Sequence, residues 1–210
     1  MFARVPYLNL SGKHRPYLEV VFFNPNKATL SPKFFGLLDS GADCSVIPYS
    51  LGVLLQLDNP TEKEFSQASG VAGRLSYIER KCHIGIFNKP TNEVFTFNDE
   101  VYWAHPDMET QAKLKMLQEE YKGLEGLQGQ VIVNTPLAMH FQNELLKKKG
   151  EIDTINNIFE TDILLGRPFF ENFDFIQFLH RDRSNEARCS FNYRVSEKKI
   201  IEKTSLTTTS

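Results

Sequence analysis

Apolar residues follow two rhythms along this chain. In the first half they cluster in short runs or alternate with polar ones. "YLEVVFF" (17–23) stops at the turn signal "NPN", and "KFFGLL" (33–38) runs into Asp-Ser-Gly. "RLSYIERKCHIGIF" (74–87) alternates well enough for one long strand or two short ones. "EVFTFNDEVYWA" (93–104) carries Val94, Phe95, Phe97, Val101 and Trp103, with Asn98-Asp99 as an apparent break. Between these strands, "SQASGVAGR" (66–74) has the small, Gly-containing composition of a hairpin tip or loop.

The rhythm then lengthens. Leu114, Leu117, Tyr121 and Leu124 lie at helical spacing in "DMETQAKLKMLQEEYKGLEGL", and glycines 123, 126 and 129 are expected to end that helix. "TPLAMHFQNELLKKKG" is punctuated like a second helix. Thr135 stands as N-cap, Pro136 at the first helical position, lysines 147–149 in the last turn and Gly150 just after; Leu137, Phe141 and Leu145 form its apolar stripe. Residues of about 106–158 therefore read as a helical insertion in a β protein.

Strands resume with "DILLGRPFFENFDFIQFL" (162–179). Ile163, Leu164 and Leu165 make a short buried strand stopped by Gly166, and Pro168 can open a helical turn reaching Phe173. "FDFIQFL" and "RCSFNYRV" read as a hairpin with its loop near 180–187, followed by a flexible polar tail from 196 to 210. No internal repeat is visible.

A chain of 210 residues is long enough for one sizeable domain carrying an insertion. Its net charge of -2 gives no general attraction to nucleic acid or anionic membranes. Phenylalanine dominates the aromatics, 17 residues against one Trp, which suits a strand-rich core. Cys44, Cys82 and Cys189 are scattered and odd in number, so they form no disulfide framework and no zinc-ligand spacing; a reducing, cytoplasmic compartment is expected. The five histidines show no metal spacing, so neither metal nor cofactor is expected. No secretory leader is visible, and no apolar run approaches the ~18 residues of a membrane span.

One residue stands out against this ordinary background. Asp39 follows an apolar strand directly, where a lone buried carboxylate costs several kcal/mol unless it is paired or hydrogen-bonded. Ser40 can donate and accept, Gly41 permits a tight backbone and Ala42 keeps the loop narrow, so the loop can aim a carboxylate into a cleft. Taken by itself, Asp-Ser-Gly is more simply a turn. Its flanks change the balance. "LLDSGADCSVIP" resembles the active-site segment of the retropepsin-like aspartic proteases: Leu37-Leu38, then Asp39-Ser40-Gly41-Ala42, Asp43 and the short apolar strand around Val46-Ile47. The family's second mark, apolar residues followed by Gly and often Arg, is matched by Ile163-Leu164-Leu165-Gly166-Arg167. A weaker third mark is the Gly-containing segment between them. "GRPFFENFDF", with Pro168, looks closer to cellular and bacterial members than to the minimal viral ones.

The resemblance covers residues 15–195 apart from the helical insertion, and implies a mainly β, retropepsin-like acid-protease barrel. It implies an aspartic endopeptidase acting on extended, mostly apolar peptide segments, with Asp39 catalytic and Ser40, Gly41, Ala42 and Asp43 forming the active-site loop. Ser69, Gly70, Val71, Ala72 and Gly73 take the place of the flap, for which a plain surface loop is nearly as good a reading. Gly166 would let the loop pack beneath the aspartates, and Arg167 would pair with Asp43; two solvated surface charges are the plainer alternative. Carboxylate chemistry on an amide needs two acids sharing a proton. This chain has a single Asp-Ser-Gly and no duplication, so the expected partner is a second copy in a symmetric homodimer. The competing reading is a catalytically silent dimerisation or peptide-binding module on the same fold. It leaves unexplained why a scaffold would keep a carboxylate at Asp39.

Overall fold

A computed structural model describes residues 2–10, 13–70, 73–88, 93–128, 136–179 and 189–205. Its elements run β1 (Phe2–Pro6), β2 (Leu8–Leu10), β3 (Lys13–Arg15), β4 (Tyr17–Asn24), β5 (Thr29–Leu30), β6 (Phe34–Leu38), β7 (Ser45–Ile47) and α1 (Tyr49–Leu54). They continue through β8 (Ser66–Gly70), β9 (Gly73–Asn88), β10 (Glu93–Ala104), α2 (Met108–Gln128), α3 (Pro136–Phe159), β11 (Leu164–Leu165) and α4 (Arg167–Phe170). β12 (Phe173–Leu179), β13 (Ser190–Val195) and β14 (Glu202–Ser205) complete the chain. Two compact units result, one of residues 1–59, 79–103 and 162–210, the other of 60–78 and 104–161.

The first unit is built on a closed six-stranded barrel. Going round it, β10, β7, β11, β6, β4 and β9 pair in turn, and β9 pairs back to β10. Closure removes the open edges that would otherwise present unpaired backbone groups. One feature of the order governs the site. β6 and β7 are neighbours in sequence but do not pair; β11 lies between them, parallel to β6 (Leu164↔Leu37, Leu165↔Leu38) and antiparallel to β7 (Leu164↔Val46). The barrel core is formed by the inward positions of these strands: Val20, Phe22, Ile47, Ile84, Ile86, Phe97, Val101 and Leu165 have no accessible surface.

A three-stranded sheet, β1–β13–β12, belongs to the same unit. Aromatic rings cluster where this sheet meets α4 and β10. Phe173 meets Phe169 edge-on at 5.3 Å and Tyr193 at 5.5 Å, with Phe97 of β10 at 6.5 Å. Such contacts contribute about 0.5–1.5 kcal/mol each beyond burial, and through the fully buried Phe169 they anchor α4. The only tryptophan, Trp103, is also buried; its indole N–H donates to the Tyr49 carbonyl at 3.1 Å, and its ring lies against Gly52.

In the second unit, β8 pairs with the start of β9 from Ser66↔Tyr77 to Gly70↔Gly73. α2 and α3 pack on each other, burying Leu117, Leu145 and Phe159, and Lys148 bridges to Glu120. Both helices outrun their expected stops. α2 continues through Gly123 and Gly126 to Gln128, and α3 through Gly150 to Phe159. A helix-interior glycine costs only about 1 kcal/mol relative to alanine, and burial of the stripe on either side outweighs it. Leu137, placed in the apolar stripe by spacing, is 54% exposed. Thr135, Gly129 and the 180–187 loop lie outside the described residues.

The strand expectations need three corrections. Asn98-Asp99 does not break β10, which is continuous over Glu93–Ala104. The amino-terminal residues before 15 contribute β1, paired with β13 from Phe2↔Arg194 to Pro6↔Ser190. The tail expected to be flexible from 196 instead forms a 3₁₀ turn at Glu197–Lys199 and then β14, paired with β10 from Glu93↔Ser205 to Thr96↔Glu202. Ladder hydrogen bonds, including Ile201 N–H to the Thr96 carbonyl at 2.9 Å, supply what its polar side chains cannot; residues 206–210 lie outside the described region.

Candidate functional site

The β6–β7 connection has to cross the end of the strand inserted between them. β6 delivers Asp39 at the mouth of the barrel, and residues 39–44 then step over the carboxyl end of β11 to reach β7. Two backbone hydrogen bonds fasten the crossing: Asp39 N–H to the Leu165 carbonyl at 3.1 Å, and Arg167 N–H to the Ala42 carbonyl at 2.9 Å. Gly166 sits between those two anchors. A Cβ there would overlap the Cys44 carbonyl and come within 3.0 Å of the Ala42 oxygen. The requirement for glycine is therefore one of close approach, since its backbone is extended, with φ of -84°.

Within the crossing the chain turns tightly, with Ala42 N–H donating to the Asp39 carbonyl at 3.2 Å. The Asp39 carboxylate accepts the Gly41 N–H at 2.9 Å through Oδ1, the hydrogen bond of an Asx turn. Asp39 is half-buried, Ser40 and Gly41 are exposed and Ala42 is half-buried. One carboxylate oxygen is thus held by the loop's own backbone at a solvent-accessible rim. Asp43 and Arg167 form an ion pair, but their side chains are 79% and 66% exposed. A pair that open to water contributes about 1 kcal/mol or less, so the Arg167 backbone bond is the firmer tie.

Cys44 is only half-buried because it lies on the crossing itself; burial, then the charges of Glu79 and Asp99, raise its thiol above the ordinary value. Cys82 and Cys189 are buried and free. No group of three or more His, Cys, Asp or Glu side chains placed to hold a metal ion occurs among the described residues. Of the segment assigned as flap, Ser69, Gly70 and Gly73 lie at the end of the β8–β9 ladder in the second unit, and Val71 and Ala72 are outside the described residues.

The residue that sequence reasoning passed over is Asp99. It is only 8% exposed, although it sits in the middle of β10. Its Oδ2 accepts the Ser45 hydroxyl at 3.0 Å, and Oδ1 accepts the Glu100 N–H at 2.9 Å. Burial lifts its carboxyl from the ordinary 3.8 to about 6, opposed by those two hydrogen bonds and aided by the Glu100 and Glu171 charges. Ser45 is fully buried, and its oxygen in turn lies 3.3 Å from the Gly166 nitrogen. In the sequence Asp99 lies in the polar run Asn98-Asp99-Glu100 between Phe97 and Val101, which reads as a break and gives no local sign that one of the three is buried.

No protein-family model matches this sequence, and a search of curated proteins finds no match either. Among the described residues, no helix is long and apolar enough to cross a membrane.

Proposed function

We propose that this chain is one subunit of an aspartic endopeptidase of the retropepsin kind. The observation that carries the reading is the crossing itself. A closed barrel delivers a single Asp-Ser-Gly to an accessible rim, with one carboxylate oxygen fixed by the Gly41 N–H and the loop seated on a glycine that admits no side chain. A turn with no chemical task needs neither the strand inserted beneath it nor an aspartate at its start.

In this reading the Asp39 carboxylates of two copies face each other across a shared cleft. Like charges about 3 Å apart cannot both ionise, so the pair retains one proton. The ionised member removes a proton from a water molecule held between them, and the protonated member donates to the scissile carbonyl oxygen. The water oxygen bonds to the carbonyl carbon, giving a tetrahedral intermediate. Transfer of a proton to the amide nitrogen then breaks the C–N bond and releases the two peptide products. Ser40 would hydrogen-bond across the dimer, and the Gly41 carbonyl would line the channel for an extended, mostly apolar peptide. The two carboxyls titrate as one unit, so activity follows a bell in pH that belongs to the pair.

The test is cleavage of a diverse peptide pool, read by mass spectrometry from about pH 4 to 8, with Asp39→Asn alongside wild type. Cleavage by wild type alone is expected, with specific activity rising with protein concentration as subunits pair. Equal behaviour of the two proteins would overturn the protease assignment.

A further inference from the structure

We propose that Asp99 is a positioning residue for the Asp39 loop, acting through the Ser45 hydroxyl on the Gly166 backbone. This rests on the reading of Asp39 as the catalytic carboxylate. Three anchors bind the crossing to β11 and the turn after it: Asp39 N–H to Leu165, Arg167 N–H to Ala42, and Gly166 N–H to the Ser45 oxygen. The first two are backbone pairs whose direction is fixed. The third depends on a hydroxyl, which can donate as readily as accept.

Asp99 decides which it does. An ionised carboxylate only accepts, so the Ser45 O–H must point at Oδ2 and its lone pairs are left for the Gly166 N–H. A protonated Asp99 can itself donate to the Ser45 oxygen, which releases the hydroxyl hydrogen from Oδ2 and lets it turn toward the side from which the Gly166 N–H donates. The loop then keeps two anchors and loses the definition of the third. Because Gly166 lies directly under Cys44 and Ala42, a change at its nitrogen is carried into the loop that holds Asp39. The switch would act near pH 6, where burial has placed the Asp99 carboxyl.

Other ionisable groups share this environment. Glu100 on the same strand and Glu171 after α4 act on Asp99, and the Cys44 and Cys82 thiols feel its charge. Lys81, His83, Lys198 and Lys199 line the same cleft of about 760 Å³. Lys81 is partly balanced by Glu100 at 3.9 Å. His83→Gln therefore serves as the control that separates an imidazole proton from that of Asp99.

The experiment follows backbone amide and carboxyl resonances of the full chain by NMR from about pH 4.5 to 8, and measures kcat and KM for peptide cleavage over the same range. The Gly166 amide is expected to titrate in step with the Asp99 carboxyl in wild type and in His83→Gln. Ser45→Ala should move the Asp99 titration upward, since the Ser45 hydrogen bond holds it down, and remove the Gly166 response. Asn at 99 cannot be protonated in this range, and its single oxygen serves the Ser45 hydroxyl only with its amide group turned to the Glu100 N–H. Asp99→Asn should thus lose the part of the wild-type decline in kcat that centres near pH 6, and keep the acid limb that belongs to the Asp39 pair. A Gly166 amide indifferent to Asp99 would overturn the proposal, and so would a decline near pH 6 unchanged in Asp99→Asn. These outcomes separate it from the protease reading: coupled titration in a protein that cleaves nothing would sink the enzyme assignment and leave the coupling standing.

Discussion

Removing the Asp99 charge should change how stability depends on pH, in a direction fixed by linkage. The carboxyl titrates at 3.8 when unfolded and at about 6 when folded, chiefly because it is buried. Between those values the folded state binds more protons than the unfolded one, so stability falls as pH rises through the window. Above it, ionising the buried group has taken its full toll. Two units at 1.36 kcal/mol each amount to about 3 kcal/mol. Asp99→Asn has no such slope. The other carboxylates impose their own pH dependence on both proteins, so the informative quantity is the difference between wild type and variant. It should move by about 3 kcal/mol against wild type from pH 4 to 7.

Urea titration suits the measurement because the single tryptophan reports on the right unit. Trp103 is buried in the barrel unit that also contains Asp99, so its emission follows that unit's unfolding. With an m-value of about 2 kcal/mol per molar urea, the midpoint difference should shift by about 1.5 M across the window. A wild-type-minus-variant difference that stays flat from pH 4 to 7 would show that Asp99 is not desolvated as its surroundings require. The Ser45 bridge would then carry no titratable signal.

Three further outcomes follow from packing. Gly166→Ala places a Cβ against the Cys44 carbonyl, which is backbone and cannot swing aside; a loss of about 1–3 kcal/mol is expected by chemical denaturation, with cleavage reduced further than stability accounts for. Phe169→Ala removes the fully buried ring that ties α4 to Phe173 and should cost about 3–5 kcal/mol, read from the same Trp103 emission. Gly123→Ala, Gly126→Ala and Gly150→Ala meet nothing within 4 Å, and each should raise stability by about 0.5–1 kcal/mol in thermal unfolding followed by helical circular dichroism.

What the sequence disclosed depended on whether the signal was local. The runs that became β4, β6, β9 and β10 are legible because strand periodicity and turn residues sit side by side in the chain. Helix ends were misjudged at Gly123, Gly126 and Gly150, where a local penalty of about 1 kcal/mol was outweighed by burial of side chains distant in sequence. β14 was missed for a related reason: its polar residues form a strand only because β10 offers them an edge. The insertion of β11 between β6 and β7 is a pairing over more than a hundred residues, and nothing in either segment by itself announces it.

Asp39 and Asp99 show why a carboxylate's position in a sequence does not reveal its environment. Both belong to strands of one barrel or their immediate ends, Asp39 after Leu38 and Asp99 after Asn98. Asp39 stands where the strand ends, keeps access to water and satisfies an oxygen with the Gly41 N–H. Asp99 lies in mid-strand, is almost wholly enclosed and meets two donors, and those donors do not offset its loss of hydration. A leucine or valine in its place would pack without that penalty. It would, however, leave the Ser45 hydroxyl, fully buried, without the group that fixes its direction beneath the loop. Retaining an acid there is intelligible if the direction of that hydroxyl matters to the geometry above it. Asp99→Asn and Ser45→Ala divide the two contributions, since the first removes the charge and keeps an acceptor, while the second keeps the charge and breaks its connection to Gly166.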